Sequence, residues 1–296
     1  MEKIEVPHGS IVVGVDGSPA SERAVRWGAR QAALEHRPVA LVHATSPTVA
    51  TTWMGSPGFD SASVLQAMED SGRAQLQAAA AEVHEQQPDV EVYRVLDRRD
   101  PRDALLTLAG HADLVVVGSR GHGPMVSLLL GSVSLAVSQH ATCPVVVVRG
   151  DAEEGDSGVV VGADGTVRSD AAVGFAFRQA SLRSLPLTVV HAFWSEQDEG
   201  YPSQARSYEQ ADLEDMRLLL AESIAGPEAD FPDVKVSLHV ERGIPDSVLL
   251  HACRSADLAV VGTHPTNAVY DLLAGEVSRS VLGHARCPVA VVPDPV

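Results

Sequence analysis

Aromatic residues are scarce in this chain of 296 residues, since Phe, Trp and Tyr together make up 4% of it. Hydrophobic residues nevertheless make up 45%, so the cores must be built mainly from Val, Leu, Ile and Ala. This composition suits parallel β-sheets that are covered by helices. At this length we expect two domains of about 150 residues each.

Long apolar runs are also missing. No stretch approaches the roughly 18 consecutive apolar residues that a membrane-spanning helix needs. The first ten residues are polar and charged and hold no apolar signal-peptide core. We therefore expect a cytoplasmic protein with no membrane partner. With only three cysteines, reduced thiols are expected rather than a disulfide framework.

Basic residues are few. The chain has 22 Lys and Arg residues and 39 Asp and Glu residues, which gives a net charge of −17. A chain this acidic is not expected to bind nucleic acid. The charge is uneven, because residues 1–150 hold 16 acids and 12 bases (−4) whereas residues 151–296 hold 23 and 10 (−13). An anionic ligand is therefore less disfavoured in the first half.

The two halves of the sequence repeat each other. The segments GVDG at 14–17 and VHA at 42–44 recur 148 residues later as GADG and VHA. The segments VVGS at 116–119 and CPV at 143–145 recur 144 residues later as VVGT and CPV. The second copy is thus four residues shorter in its middle. We predict two domains of the same fold, at 1–150 and 151–296.

Strands and helices are predicted to alternate within each copy. Apolar runs predict strands at 11–15, 39–44, 90–95, 114–117 and 145–148, and then at 159–163, 187–192, 234–240, 258–261 and 289–292. In the first copy helices are predicted to begin at Pro19, behind an N-cap at Ser18, and at Pro101, and to span about 64–86 and 132–140. This pattern predicts an α/β fold with a doubly wound five-stranded parallel sheet in each domain. Such sheets bind ligands beyond the carboxyl ends of their strands.

The most informative segment follows the fourth predicted strand and leads into a helix. It spans 118–132 and contains Gly118, Gly121, Gly131 and Ser132. Glycines let the backbone approach an oxygen-rich ligand closely, and the N–H groups at a helix start favour anions. Ser132 adds a hydroxyl donor there. The alternative is a glycine-rich turn that binds nothing.

The spacing G-x2-G-x9-G-S in this segment resembles the nucleotide signature of the universal stress protein family. The resemblance covers nearly the whole chain, including the GVDGS, VHA and CPV segments, and is to the tandem-domain form of actinobacteria and mycobacteria. It implies a Rossmann-like fold with strand order 3-2-1-4-5 in each domain. It also implies ATP as the ligand.

The resemblance further implies a nucleotide site in the first domain. Asp16 would contact ribose and phosphate, directly or through a divalent metal for which Mg²⁺ is the candidate. The backbone near Val15 and Ala44 would hold adenine, and the glycine loop would hold the phosphates. The residues implied are Val15, Asp16, Ala44, Gly118, Gly121, Gly131, Ser132 and Val133. The alternative for Asp16 is a turn or helix-capping role.

The second copy departs from the signature. Gly262 and Gly275 are kept, but Pro265 replaces the second glycine and Glu276 replaces the serine. Pro265 removes an N–H donor, and Glu276 places a carboxylate where phosphate oxygens would lie. We expect weak or absent ATP binding in the second domain.

Four other residues have structural interpretations. Cys143 and Cys287 precede the last strand of each copy and are predicted to be packed thiols. His43 and His191 end the second strand of each copy, where packing or bonding to the backbone is favoured over metal binding.

The sequence contains no nucleophile elbow, Walker motif or kinase signature, so we assign no catalytic residue. An ATP-binding regulatory protein of the stress response is the leading interpretation. The alternatives are a slow ATPase or phosphotransferase that uses Asp16 and a divalent metal, or a scaffold with vestigial pockets. The strands at 145–148 and 289–292 are expected to pair the domains as an internal pseudo-dimer. A homodimer of whole chains is left open, and the sequence specifies no protein partner.

Overall fold

The computed structural model describes residues 6–45, 61–121, 130–150, 157–193, 205–263 and 272–294. The chain forms two compact units, Met1–Val148 and Arg149–Val296. In both, strands and helices alternate along the chain, which confirms the predicted α/β class. Among the described residues no helix is long and apolar enough to cross a membrane.

The first domain is built on a parallel sheet. Its strands are β1 (Ile11–Gly14), β2 (Val39–Ala44), β3 (Val92–Asp97), β4 (Leu114–Gly118) and β5 (Val145–Val148). Its helices are α1 (Pro19–Glu35), α2 (Ser61–Gln86), α3 (Pro101–Ala109) and α4 (Ser132–His140). All strand pairs are parallel and their order is β3-β2-β1-β4-β5, which is the order that the family resemblance implied.

The second domain has the same arrangement. Its strands are β6 (Val159–Gly162), β7 (Leu187–Phe193), β8 (Val236–Arg242), β9 (Leu258–Thr263) and β10 (Val289–Pro293). Its helices are α5 (Asp170–Arg183), α6 (Ala205–Asp230), α7 (Pro245–Ala252) and α8 (Leu272–His284), and a 3₁₀ turn (Val167–Ser169) precedes α5. The parallel pairs give the order β8-β7-β6-β9-β10.

The core of the first domain is aliphatic, as the shortage of aromatic residues required. Ile11, Val12 and Val13 of β1 are fully buried because both faces of this central strand are covered. Helix α1 packs against β1 and β4. Gly28 permits this close packing, since a methyl group at Gly28 would lie 2.6 Å from Val13 Cγ2.

Two helices of the first domain begin where the sequence predicts. Ser18 caps α1, because its Oγ accepts a hydrogen bond of 3.2 Å from the Ser21 amide. Asp100 caps α3 in the same way, with a bond of 2.9 Å from the Arg102 amide. Both caps hold their helix starts at the carboxyl edge of the sheet, the edge at which ligands are expected.

Several predicted boundaries were wrong. The strands predicted at 90–95 and 234–240 begin two residues later, at β3 and β8. Val90 donates to the Gln87 carbonyl and Val234 to the Phe231 carbonyl, each at 3.1 Å, so tight turns hold these valines. The other differences concern single element ends. Strands β1 and β6 end one residue early, strands β4, β7 and β10 end one residue late, and β9 ends two residues late. Helix α2 begins at Ser61 rather than at about residue 64.

Candidate functional site

The predicted site residues Asp16 and Gly121 meet at the carboxyl edge of the first sheet. Strands β1 and β4 are parallel neighbours, so the segments that follow them leave the sheet side by side. The backbone of Gly121 lies directly against the Asp16 carboxylate, because a Cβ atom at Gly121 would overlap Asp16 Oδ2. The fold therefore brings together two residues that are 105 positions apart in the sequence.

Only one oxygen of the Asp16 carboxylate has a hydrogen-bond partner among the described residues. Its Oδ1 accepts a hydrogen bond of 2.9 Å from the Ser18 amide, which is the turn-forming role foreseen as an alternative. Its Oδ2 has no hydrogen-bond partner within the described residues. Asp16 is also partly exposed. One carboxylate oxygen is thus available to a ligand at this edge.

Gly118 joins the start of the loop to helix α1. A Cβ atom there would lie 2.6 Å and 2.7 Å from the carbonyl carbon and oxygen of Ala20, closer than a methyl group can approach. Ser18 Oγ adds a second link, since it donates a hydrogen bond of 3.3 Å to the Arg120 carbonyl oxygen. The glycine loop and the start of α1 therefore form one connected structure.

The end of the loop is anchored to its beginning. Gly131 donates a backbone hydrogen bond of 2.9 Å to the Ser119 carbonyl. Ser134 Oγ donates one of 2.6 Å to the Gly118 carbonyl. Residues 122–129, which lie between these anchors, are outside the described residues.

Helix α4 begins directly behind this anchor. Ser132 is its first residue and is exposed, and Val133 is half-buried. The first N–H groups of a helix have no acceptor within the helix. Gly131, at the N-cap, offers no side chain to satisfy them. The start of α4 therefore presents donors next to the Gly118–Gly121 backbone.

The backbone of Val15 is already engaged. Its amide donates to the Val42 carbonyl, and its carbonyl accepts from His43 Nδ1, both at 2.8 Å. Ala44 ends β2 opposite Asp97 of β3. Among the described contacts none joins Ala44 to the glycine loop, so the structure brings Asp16 and the glycines together more directly than it does Ala44.

The predicted roles of the four cysteine and histidine residues are confirmed. His43 bonds to the Val15 carbonyl, and His191 bonds to the Ala163 carbonyl at the same distance of 2.8 Å. Cys143 and Cys287 are both buried, and neither is in a disulfide.

Ion pairs line the edge beside β3. Arg99 donates hydrogen bonds of 2.6–3.1 Å to the Asp97 carboxylate, which lowers the pKa of Asp97. Arg98 and Arg73 both pair with Glu69, at 2.7 Å and 3.0 Å. Arg73 also pairs with Asp70, at 2.7 Å, so the three arginines are balanced by three acids and this group carries no net charge.

Sequence reasoning missed three serine contacts at this site. Ser18 was recognised as an N-cap but not as a donor to the loop. Ser21, whose Oγ accepts from the Asp16 amide at 3.4 Å, and Ser134 were not singled out. The Ser18 and Ser134 hydroxyl groups bond to loop backbone that only the folded chain places nearby, whereas the Ser21 contact is local to the turn before α1.

The corresponding aspartate of the second domain accepts more hydrogen bonds from its own turn. Asp164 Oδ1 accepts from the Thr166 amide at 2.9 Å, from Thr166 Oγ1 at 2.8 Å and from Ser169 Oγ at 2.9 Å. Thr166 is the counterpart of Ser18, but its hydroxyl donates to the aspartate rather than to a loop carbonyl. The two copies therefore use the same position differently.

The helix that follows the second loop also differs. Helix α8 begins at Leu272, whereas α4 begins at Ser132, the counterpart of residue 276. Position 276 therefore lies one turn inside its helix, where its N–H has an acceptor within the helix. Pro265 and the side chain of Glu276 lie outside what the structure describes.

Comparison with known proteins agrees with this architecture. The sequence model described as "Universal stress protein family" matches residues 8–149 and 158–293. The chain belongs to the universal stress protein family. This confirms the family that was recognised from the sequence, in its tandem form.

Relatives match along nearly the whole chain. A universal stress protein of Mycolicibacterium smegmatis is 36% identical over 288 residues, which are 95% of this chain and 96% of the relative. A crystal structure of a universal stress protein from Archaeoglobus fulgidus is 19% identical with a TM-score of 0.68, and covers 96% of this chain and 98% of its own. This structure shares the fold. A universal stress protein solved in complex with cAMP is 25% identical, with a TM-score of 0.34, over 46% of this chain and 94% of its own.

Proposed function

We propose that this protein is an ATP-binding regulator of the stress response and that it binds ATP mainly in its first domain. The observation that carries the proposal is the contact between the Gly121 backbone and the Asp16 carboxylate, whose Oδ2 has no partner among the described residues. A ligand at this edge would meet the Asp16 carboxylate and the adjoining backbone of the glycine loop. Such a regulator would act in the cytoplasm, where ATP is available.

The triphosphate would bind at the start of α4. The free N–H groups of the first turn and the helix dipole favour an anion there. The exposed hydroxyl of Ser132 adds a donor. Gly121 leaves the Asp16 carboxylate clear of a neighbouring side chain, and Gly118 lets the start of the loop pack against α1.

Asp16 needs a partner of opposite sign if phosphates lie beside it. Within the described residues no group of three or more His, Cys, Asp or Glu side chains could hold a metal ion on its own. Mg²⁺ is commonly held by one or two carboxylates together with substrate phosphates, and the free oxygen of Asp16 fits this pattern. A bound Mg²⁺ would supply charge neutralisation between Asp16 and the phosphates.

We infer that the second domain binds ATP weakly or not at all. Its aspartate, Asp164, already accepts three hydrogen bonds at Oδ1. Helix α8 begins one turn earlier than α4 does. The N–H groups of its first turn are therefore displaced from the position that Ser132 has in the first domain. The net charge of −13 in residues 151–296 adds to this by opposing an anionic ligand.

A slow ATPase or phosphotransferase is the second candidate. It is favoured by the same free oxygen of Asp16, which would orient a metal ion or a water molecule at the phosphates. Single-turnover incubation with ATP separates the two functions, because a sensor releases ATP unchanged whereas an enzyme releases ADP.

The proposal is tested by comparing Asp16→Asn with Asp164→Asn in equilibrium binding of ATP. With Mg²⁺ present, Asp16→Asn is expected to weaken binding about tenfold or more, since a charged metal ligand is lost. With the metal chelated, Asp16→Asn is expected to bind at least as tightly as the wild type, because a carboxylate that repels phosphate is gone. Asp164→Asn is the matched control and should leave the ATP affinity unchanged, both with Mg²⁺ present and with the metal chelated. Equal losses in both variants, or a wild type that binds no ATP, would refute the proposal.

A further inference from the structure

Two cysteines meet in the core of the second domain, outside the segments that the nucleotide proposal uses. Cys253 directly follows helix α7, and Cys287 lies two residues before β10. They are 1% and 2% exposed, and their thiols are hydrogen-bonded to each other.

The first domain shows independently that these two segments touch. The counterparts of Cys253 and Cys287, 144 residues earlier, are Ala109 and Cys143. Thr142, the neighbour of Cys143, donates a hydrogen bond of 3.4 Å to the Ala109 carbonyl. The fold therefore places the end of this helix against the segment before the last strand in both domains. Only the second domain has a cysteine on each side of the contact.

The contact makes the two thiols unequal. A hydrogen bond from Cys253 lowers the pKa of Cys287, and the same bond raises the pKa of Cys253. Cys143 has no such neighbour, and burial raises its pKa to about 12. Since the thiolate is the reactive form, the bond from Cys253 favours Cys287 as the attacking thiol of the pair, while burial and Asp257 act in the opposite direction.

We propose that Cys253 and Cys287 form a reversible disulfide when hydrogen peroxide reaches the second domain, which makes this pair a thiol oxidation site. The thiolate of Cys287 attacks one peroxide oxygen, and the O–O bond breaks to give a sulfenic acid and hydroxide. The Cys253 thiol then attacks the sulfenic sulfur, forming the S–S bond and releasing water. The hydroxide takes up the proton that Cys287 lost, so two thiols are oxidised and one peroxide is reduced to two water molecules.

Burial selects the oxidant. Both sulfur atoms are almost completely covered, so a small peroxide has better access than a bulky aromatic disulfide reagent. A thiol reductant such as dithiothreitol reverses the step by thiol–disulfide exchange. The bond closes a loop between residues 253 and 287 and so constrains the unfolded chain.

The test treats the reduced full-length chain with hydrogen peroxide, then unfolds, alkylates and digests it for mass spectrometry. We expect a peptide pair linked through Cys253 and Cys287, and one alkylated cysteine, Cys143, where the untreated chain has three. The melting temperature of the second domain should rise by roughly 5–10 °C and return after dithiothreitol.

The control variants follow from the repeat. Cys253→Ala copies the residue that the first domain has at Ala109, so it should fold, and it should lose both the linked peptides and the melting shift. Cys143→Ala should keep both. Three alkylated cysteines after peroxide treatment, or disulfides found only between chains, would overturn the proposal.

Discussion

The two repeats differ most clearly at a single pair of residues, Asp16 and Asp164. Asp16 Oδ1 accepts one hydrogen bond, from the Ser18 amide, whereas Asp164 Oδ1 accepts three, two of them from hydroxyl groups. A carboxylate with three local donors is stabilised without a ligand. The family motif GxDG is therefore present in both copies, but its aspartate accepts one local hydrogen bond at Oδ1 in the first copy and three in the second.

Gly121 is the residue at which added bulk and charge should act most directly. A side chain at Gly121 would overlap Asp16 Oδ2, and Gly121→Asp would also place two carboxylates together. We expect Gly121→Asp to abolish detectable ATP binding, measured with a fluorescent ATP analogue. Gly110→Asp is the control, because a Cβ there meets only the Thr107 carbonyl, at 3.6 Å, and it should bind normally. Unchanged affinity in Gly121→Asp would remove this loop from the site.

The pair of Asp97 and Arg99 predicts a pH-dependent contribution to stability. Arg99 holds the pKa of Asp97 below its ordinary value of 3.8. The pair therefore stabilises the fold above about pH 4, and the contribution is lost as the pH falls through the lowered pKa. Because Arg99 is half-exposed, Arg99→Ala should lower the free energy of unfolding by only about 0.5–1 kcal/mol at pH 7.

Urea unfolding at pH 7 and at pH 2.5 measures this difference, which should largely vanish at the lower pH. Arg98→Ala is the control. Its partner Glu69 still pairs with Arg73 in this variant, so the free energy of unfolding should fall by less than in Arg99→Ala. An Arg99→Ala difference that persists unchanged in acid would contradict the assignment.

At the level of elements, the start of α1 links helix stability to the glycine loop. Ser18 Oγ both caps α1 and donates to the Arg120 carbonyl. Ser18→Ala should therefore destabilise the first domain by about 1 kcal/mol and also weaken ATP binding, roughly three- to tenfold. Thermal unfolding and nucleotide binding measure the two effects.

Thr166→Ala is the matched change in the second domain. Thr166 caps the 3₁₀ turn and donates to Asp164, so the variant should lose stability without any change in ATP affinity. A loss of stability in Ser18→Ala with full ATP affinity would show that the loop does not depend on this hydroxyl.

The elements themselves were largely predictable from local chemistry. The Ser18–Pro19 pair and Pro101 located two helix starts, because serine caps a helix and proline fits its first turn. The cap at Asp100 was seen only in the structure. Strand starts at β3 and β8 were misplaced, since valines in tight turns look like strand residues. The start of α8 at Leu272 was not predicted.

For the molecule as a whole, the internal repeat was the main basis for predicting the number of domains and their common fold. It gave two copies of one fold, and the apolar strands with their few aromatic residues gave the parallel sheets. The contacts of the site were less predictable, because Ser134 and Gly118 meet only after strand order and helix packing are fixed. The domain pairing expected from the last strands, and any homodimer, stay predictions.

We propose that the duplicated chain has one working nucleotide site, in its first domain. Isothermal titration calorimetry of the full-length protein with ATP and Mg²⁺ tests this most directly. We expect one ATP per chain, with the heat of binding lost in Asp16→Asn and retained in Asp164→Asn. Two equivalent ATP sites per chain, or one site that disappears only in Asp164→Asn, would contradict it.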